Sequence, residues 1–123
     1  MTDAGAELLV TAVHSRTTGE VGRSLNSARG HHFVIDGSAR SGGPAQEITP
    51  GEAFLSGISA CGVLLMESRA AETGVPLRAA EARIEGVRRR AEPASYARIE
   101  LRFRLAGPSL DQAEALVAHY RAT

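Results

Sequence analysis

The stretch Thr49-Pro50-Gly51-Glu52-Ala53-Phe54-Leu55-Ser56-Gly57-Ile58-Ser59-Ala60-Cys61-Gly62-Val63-Leu64-Leu65-Met66 decides the fold, because it sets the only cysteine into a capped, almost wholly apolar helix. Thr49 reads as an N-cap, and Pro50 suits the first helical position, where no N–H is needed. Glu52 stands at the third position after the cap, which completes a capping-box pattern. Phe54, Ile58, Cys61 and Leu65 recur at helical spacing, while Leu55, Val63, Leu64 and Met66 fill other faces, so this helix is expected to be buried nearly all round. Ser56, Gly57, Ser59, Ala60 and Gly62 are small and would let another backbone approach closely. Charge returns at Glu67, and Gly74 with Pro76 supplies the stop. Such a helix is hard to hide within 123 residues, and a partner subunit is the simplest cover.

Upstream, residues 37–44 form a loop punctuated by Gly and Pro. Before it, Glu7 to His14 reads as a strand rich in Leu, Val and Thr, a second short strand falls near Val21 to Leu25, and His31 to Asp36 reads as a third. Together they predict an N-terminal antiparallel meander. Downstream, Leu77 to Arg88 reads as a strand. Ala97 to Leu105 alternates strictly, with Ile99, Leu101, Phe103 and Leu105 on one face and Arg98, Glu100, Arg102 and Arg104 on a wet one. Arg88-Arg89-Arg90 could suggest a phosphate site, but beside Glu85 and Glu92 it reads better as a solvated strand end. Ser109 caps a last helix, Gln112 completes a second capping box, and Leu110, Ala113, Leu116, Val117 and Tyr120 form the apolar stripe. The order of strands, buried helix, strands and helix predicts one α+β domain over residues 1–123, not a doubly wound fold.

Lys plus Arg and Asp plus Glu are equal at 14 each. That balance argues against a nucleic-acid or anionic-membrane partner and makes small uncharged or hydrophobic ligands the default. The first ten residues carry Asp3 and Glu7 but no Lys or Arg, unlike a signal peptide. No apolar run approaches the ~20 residues of a membrane span. One cysteine cannot close an internal disulfide, so a reducing cytoplasm is the natural compartment. Cys61, His14, His31, His32 and His119 show no zinc-like spacing, and neither a metal nor a cofactor is expected.

Free cysteine often simply fills a core, so packing is one reading of Cys61. The other is chemistry, which requires the thiolate. Cys61 lies several turns inside the helix, beyond the reach of the positive end of the dipole, so a nearby cation would have to favour that thiolate.

The residues Arg29-Gly30-His31-His32-Phe33-Val34-Ile35-Asp36, Gly42-Gly43-Pro44, Thr49-Pro50 and Ala60-Cys61 together resemble the OsmC/Ohr family of osmotically inducible and organic hydroperoxide resistance proteins. The interval from Pro50 to Cys61 carries the match, and the resemblance runs from about Glu7 to Tyr120. It implies an OsmC-like fold, an intertwined homodimer with central helices at its middle, and reduction of organic hydroperoxides by a reactive cysteine helped by an arginine and a glutamate. Cys61 matches the reactive position. Gly22-Arg23 is the nearest counterpart of the family's arginine, with Arg29 as a substitute and Arg16 behind them. Gly51 stands where the glutamate is expected and Glu52 one residue later, where it also serves as a capping partner. The family's second, resolving cysteine would fall just beyond Thr123, so turnover would need an external thiol. The implied pocket is apolar, lined by Phe33, Phe54, Ile58 and Leu65, with His32 beside it. The alternative is an OsmC-like small-molecule-binding or structural dimer without peroxidase turnover.

Overall fold

The computed structural model describes Gly5 and residues 7–122. The expectations that rest on Asp3 and Thr123 therefore lie outside the described residues. The chain divides into two units, Met1–Pro50 and Gly51–Thr123, each built around its own antiparallel strands.

The N-terminal unit is a three-stranded meander of β1 (His14–Thr17), β2 (Arg23–Ala28) and β3 (His31–Asp36). β3 has the limits read from the sequence. A two-residue turn at Arg29 and Gly30 joins it to β2, with φ of 50° and 81°, the backbone that matches the twist of a tight hairpin. β2 begins later than its composition suggested, after Gly19 and Gly22 at φ of 99° and 87°. Residues 7–13 do not form the expected strand, and pairing explains why. His14 lies opposite Ser27, so Val13 would face the last residue of β2 and Ala12 would face the turn at Arg29. An apolar, β-branched segment has no ladder where its neighbour has already turned away. Leu8, Leu9 and Val10 are accordingly exposed.

After β3 the chain loops through a short 3-10 turn at Ala39–Ser41 and returns to the strand it left. Gly37 N–H donates to Gly22 O, Ala45 N–H to Gly37 O, and Asp36 N–H to Ile48 O. Gly43 must be glycine because a Cβ there would run into the backbone of Gly37.

In the C-terminal unit, α1 (Pro50–Thr73) begins at the proline marked by the sequence. It stops at Gly74, which takes φ +70°, while Val75 N–H donates back to Ala70 O in the closing pattern glycine permits. β4 (Ala79–Val87) and β5 (Arg98–Ala106) form an antiparallel hairpin, each close to its expected span. α2 (Leu110–Ala122) carries the anticipated cap: Gln112 N–H donates to Ser109 Oγ at 3.2 Å, and Ser109 N–H to Gln112 Oε1 at 2.9 Å.

The core of this unit is Met66, Ala70 and Leu116, with Val75, Leu77, Phe103, Leu105, Val117 and Tyr120 packed around it. The alternation of β5 places Leu101, Phe103 and Leu105 inward and leaves Arg102 and Arg104 in solvent. Burial of α1 all round is not met by the single chain. Only Gly62, Met66 and Ala70 are buried, while Phe54 and Leu64 are more than half exposed. One hairpin and one short helix cover a single stripe of a 24-residue helix. The remaining apolar surface of α1 stays open.

Candidate functional site

Cys61 is a free, exposed thiol in the middle of α1. Phe54, Ile58, Cys61 and Leu65 follow the helical repeat and share one stripe. The buried stripe of Gly62, Met66 and Ala70 lies about 100° round the helix. Gly62, next to Cys61, sits over the ring of Phe103, whose Cζ would be 2.8 Å from a Cβ at that position. Phe103 in turn meets Tyr120 edge-on, with centroids 5.3 Å apart. The helical turn bearing the thiol is thus seated on an aromatic pair, and the missing side chain at Gly62 makes the seat possible.

Toward the start of α1, Phe54 stacks on Tyr96 with centroids 6.1 Å apart, and Arg88 lies over the other aromatic at 5.6 Å. The Tyr96 hydroxyl would be 3.4 Å from a Cβ at Gly51. Glycine there leaves room for Tyr96, and no carboxylate stands at that position. Glu52 is exposed in the first turn. Ile58 and Leu65 are half-buried.

In the N-terminal unit, Arg23 opens β2 and lies in register with Asp36 at the end of β3. Its Nε donates to Asp36 Oδ1 at 2.7 Å and its Nη2 to Asp36 Oδ2 at 2.9 Å, a two-pronged pairing. Nη1 also donates to Glu20 at 2.8 Å and Nη2 to Gln46 Oε1 at 2.9 Å. The Asp36 side chain is fully shielded from solvent, and it further accepts the backbone N–H groups of Gln46 and Glu47, both at 3.1 Å. The hydrogen bonds from Arg23, reinforced by those two N–H groups, hold the Asp36 carboxyl down at a pKa of about 2. The hydrogen bond with Asp36 raises the pKa of Arg23. This cluster fastens the segment leading into α1 to the sheet.

Arg29 sits at the exposed tip of the β2–β3 turn and makes no hydrogen bond or ion pair among the described residues. Arg16 is on the exposed strand β1 and donates only to Thr17 O. His32 is held by Ser27, with Oγ 2.7 Å from Nδ1, and Phe33 is partly exposed on the same strand. His31 and His32 fall on opposite faces, as adjacent strand residues must. Asp36 escaped notice in the sequence because only the strand register sets it opposite Arg23. Tyr96 was missed because it lies in the connection between β4 and β5, without periodicity to mark it. No group of three or more His, Cys, Asp or Glu side chains among the described residues could hold a metal ion. Among the described residues no helix is long and apolar enough to cross a membrane.

Comparison with known proteins fits this architecture. No curated protein matches the chain in sequence. Among solved structures, an OsmC-like protein of unknown function from Vibrio cholerae superposes with a TM-score of 0.79 at 15% identity, covering 94% of this chain and 89% of that one. The organic hydroperoxide resistance protein OsmC of Legionella pneumophila gives 0.68 at 21% identity over 94% and 85% of the two chains. The organic hydroperoxide resistance protein OhrB of Bacillus subtilis gives 0.62 at 18% identity over 94% and 86%. At these identities the likeness speaks for the fold. The sequence itself matches the family model for OsmC-like proteins over residues 43–123, about two thirds of its length, and the chain belongs to that family.

Proposed function

We propose that this protein reduces small organic hydroperoxides by one-cysteine chemistry, as a homodimer in a reducing, cytoplasmic setting that supplies an external thiol. The observation that carries this reading is the exposed Cys61 on the apolar stripe of α1, at the position the family resemblance assigns to the reactive cysteine. The names of the Legionella and Bacillus neighbours support the substrate class.

In the proposed cycle the Cys61 thiolate attacks the terminal peroxide oxygen and the O–O bond breaks. The alkoxide leaves and takes up a proton as the alcohol, and Cys61 becomes the sulfenic acid. An external thiol condenses with that acid, releasing water and forming a mixed disulfide. A second external thiol then frees Cys61 and leaves as the oxidised disulfide. Phe54, Ile58 and Leu65 offer an apolar surface for the substrate's organic group, with Phe33 and His32 as further candidate contacts. Arg29 is the favoured cation for the thiolate, since its guanidinium is uncommitted. Arg23 stands second, because four of its N–H bonds already serve Asp36, Glu20 and Gln46. Glu52 is the carboxylate candidate in place of the residue absent at Gly51.

The alternative is a binding or structural dimer without turnover. The committed guanidinium of Arg23 and the bare Gly51 favour it. Thiol labelling at pH 6 separates the two. The peroxidase reading expects Cys61 to label much faster than free cysteine, tert-butyl hydroperoxide to block labelling, and Cys61→Ser to abolish thiol-dependent peroxide consumption. Slow labelling that needs unfolding, or peroxide consumption that survives Cys61→Ser, refutes it.

A further inference from the structure

The proposed chemistry leaves Tyr96 without a task, although glycines on two separate elements make room for it. At Gly86 in β4 a Cβ would lie 2.9 Å from Tyr96 Cδ1 and 3.2 Å from Leu55 Cδ1, and at Gly51 in α1 it would lie 3.4 Å from the Tyr96 hydroxyl. The backbone around the tyrosine is held as well. Ala97, the next residue, donates its N–H to Val87 O at 2.7 Å, and Arg88 Nη1 reaches across the same connection to Pro93 O at 3.2 Å. The Arg88 guanidinium then lies over the tyrosine ring, 5.6 Å from its centroid. Seated in this way, Tyr96 stacks on Phe54 with the two ring planes 14° apart.

Phe54 is 55% exposed, and the stacked tyrosine fixes the ring at an otherwise open position. Phe54 also begins the stripe that runs through Ile58 to Cys61, seven residues and about 10 Å along the helix axis. The stripe ends there, because the preceding turn offers Gly51, which has no side chain. A linear chain of about eight carbons, carried by a peroxide at the thiol, spans the interval from Cys61 to Phe54. We infer that Tyr96 is a specificity-determining positioning residue: by holding the Phe54 ring at the end of the Cys61 stripe, it sets the length of alkyl chain that the protein favours. This role rests on the peroxidase reading of that stripe and deepens it, naming primary alkyl hydroperoxides of about eight carbons as the favoured substrates. Carbons as far as the ring gain apolar contact, and carbons beyond it gain none from the stripe.

Consumption of butyl, hexyl, octyl and decyl hydroperoxides, with dithiothreitol as the external thiol, reads the chain-length profile. KM should fall by up to about fourfold for each methylene added as far as octyl, and stay level from octyl to decyl. Tyr96→Leu keeps apolar bulk but loses the stacking face. It should raise KM for octyl hydroperoxide by up to about tenfold, the worth of two lost methylene contacts, with KM for butyl hydroperoxide and kcat for both unchanged. Tyr96→Phe keeps the ring and the wild-type profile. Phe54→Ala, at a half-exposed site, produces the same loss by itself, and Tyr96→Leu adds nothing in its background because the tyrosine acts through Phe54. A rise in KM shared equally by all chain lengths overturns the role, as does an unchanged profile in Tyr96→Leu and Phe54→Ala. Calorimetric titration with butan-1-ol and octan-1-ol, the alcohol products, reads the same stripe without turnover. Octan-1-ol bound more tightly than butan-1-ol by the wild type, but not by Tyr96→Leu, supports the role even if no hydroperoxide is consumed, a result that refutes the peroxidase reading alone. Equal binding of the two alcohols by the wild type overturns the role and leaves the peroxidase reading in place.

Discussion

The same substitution at two glycines of α1 should act with opposite sign. Gly57 and Gly62 both lie in the helix interior, where alanine is favoured over glycine by about 0.5–1 kcal/mol. At Gly57 an added Cβ meets nothing within 4 Å, so Gly57→Ala should realise that gain. At Gly62 the new Cβ would lie 2.8 Å from Phe103 Cζ and 2.9 Å from Cε1, with Tyr120 Cε2 at 3.5 Å. Phe103 cannot simply swing aside, because Tyr120 holds it edge-on in the core. Overpacking of this kind costs about 1–3 kcal/mol and exceeds the helical gain, so Gly62→Ala should be net destabilising by about 1 kcal/mol. With a urea m-value near ~2 kcal/mol/M, the midpoint should fall by about 0.5 M for Gly62→Ala and rise by about 0.4 M for Gly57→Ala. Shortening the ring should relieve the clash, so Gly62→Ala with Phe103→Leu should lose less stability than the two single changes summed, by more than about 0.5 kcal/mol. Urea melts followed by circular dichroism at fixed protein concentration provide the readout. A midpoint for Gly62→Ala that rises as far as that for Gly57→Ala, or strict additivity in the double variant, refutes the packing argument.

Further predictions concern the N-terminal cluster, the last helix and the hairpin tip. Asp36→Asn should lower thermal stability, and the effect should depend on pH. Because the folded carboxyl is held at about 2 against an ordinary 3.8, its contribution is complete above the ordinary value and fades as pH falls toward 2. The gap between wild-type and Asp36→Asn melting temperatures should close over that interval, and a gap unchanged at pH 2 would contradict the ionic origin. Ser109→Ala should cost about 1 kcal/mol in a urea melt by removing the cap of α2, and no loss would show that the cap contributes nothing. Arg29→Gly should raise stability by about 0.5–1 kcal/mol, since Arg29 holds φ of 50°. The same variant should lose hydroperoxide consumption, and an unchanged rate would remove Arg29 from the site.

The start of α1 was legible because capping and a proline at the first turn act within a few residues. The same holds for the Ser109–Gln112 box, for the Gly74 stop and for the alternation of β5 from Leu101 to Leu105, whereas Ile99, expected on the same face, lies near the start of the strand and is exposed. β3 was readable from its residues, and the two residues that turn into it carry the backbone their hairpin requires. Residues 7–13 misled for the opposite reason. Their composition suits a strand, but a strand is half of a pair, and the length of β2 left them no partner. Burial of α1 was overstated in the same way: apolar residues on every face state what the helix could hide, not how much of it one chain can cover. Helical spacing alone set Phe54, Ile58, Cys61 and Leu65 on one stripe, and it was the family resemblance that singled out Cys61. The buried carboxylate opposite Arg23 and the aromatic stacked on Phe54 did not.

By itself the sequence determined where both helices begin and where α1 ends, that Leu101, Phe103 and Leu105 of β5 face inward, and that one thiol sits within an apolar helix. Each of these depends on backbone geometry and neighbours a few residues away. Tertiary structure decided that Arg23 is bound to Asp36, that Gly62 is a seat for Phe103, and that Cys61 lies on an exposed face of α1. Those outcomes depend on strand register and on which surfaces the fold has enough chain to cover, and such contacts join residues far apart in sequence whose partners no local pattern specifies.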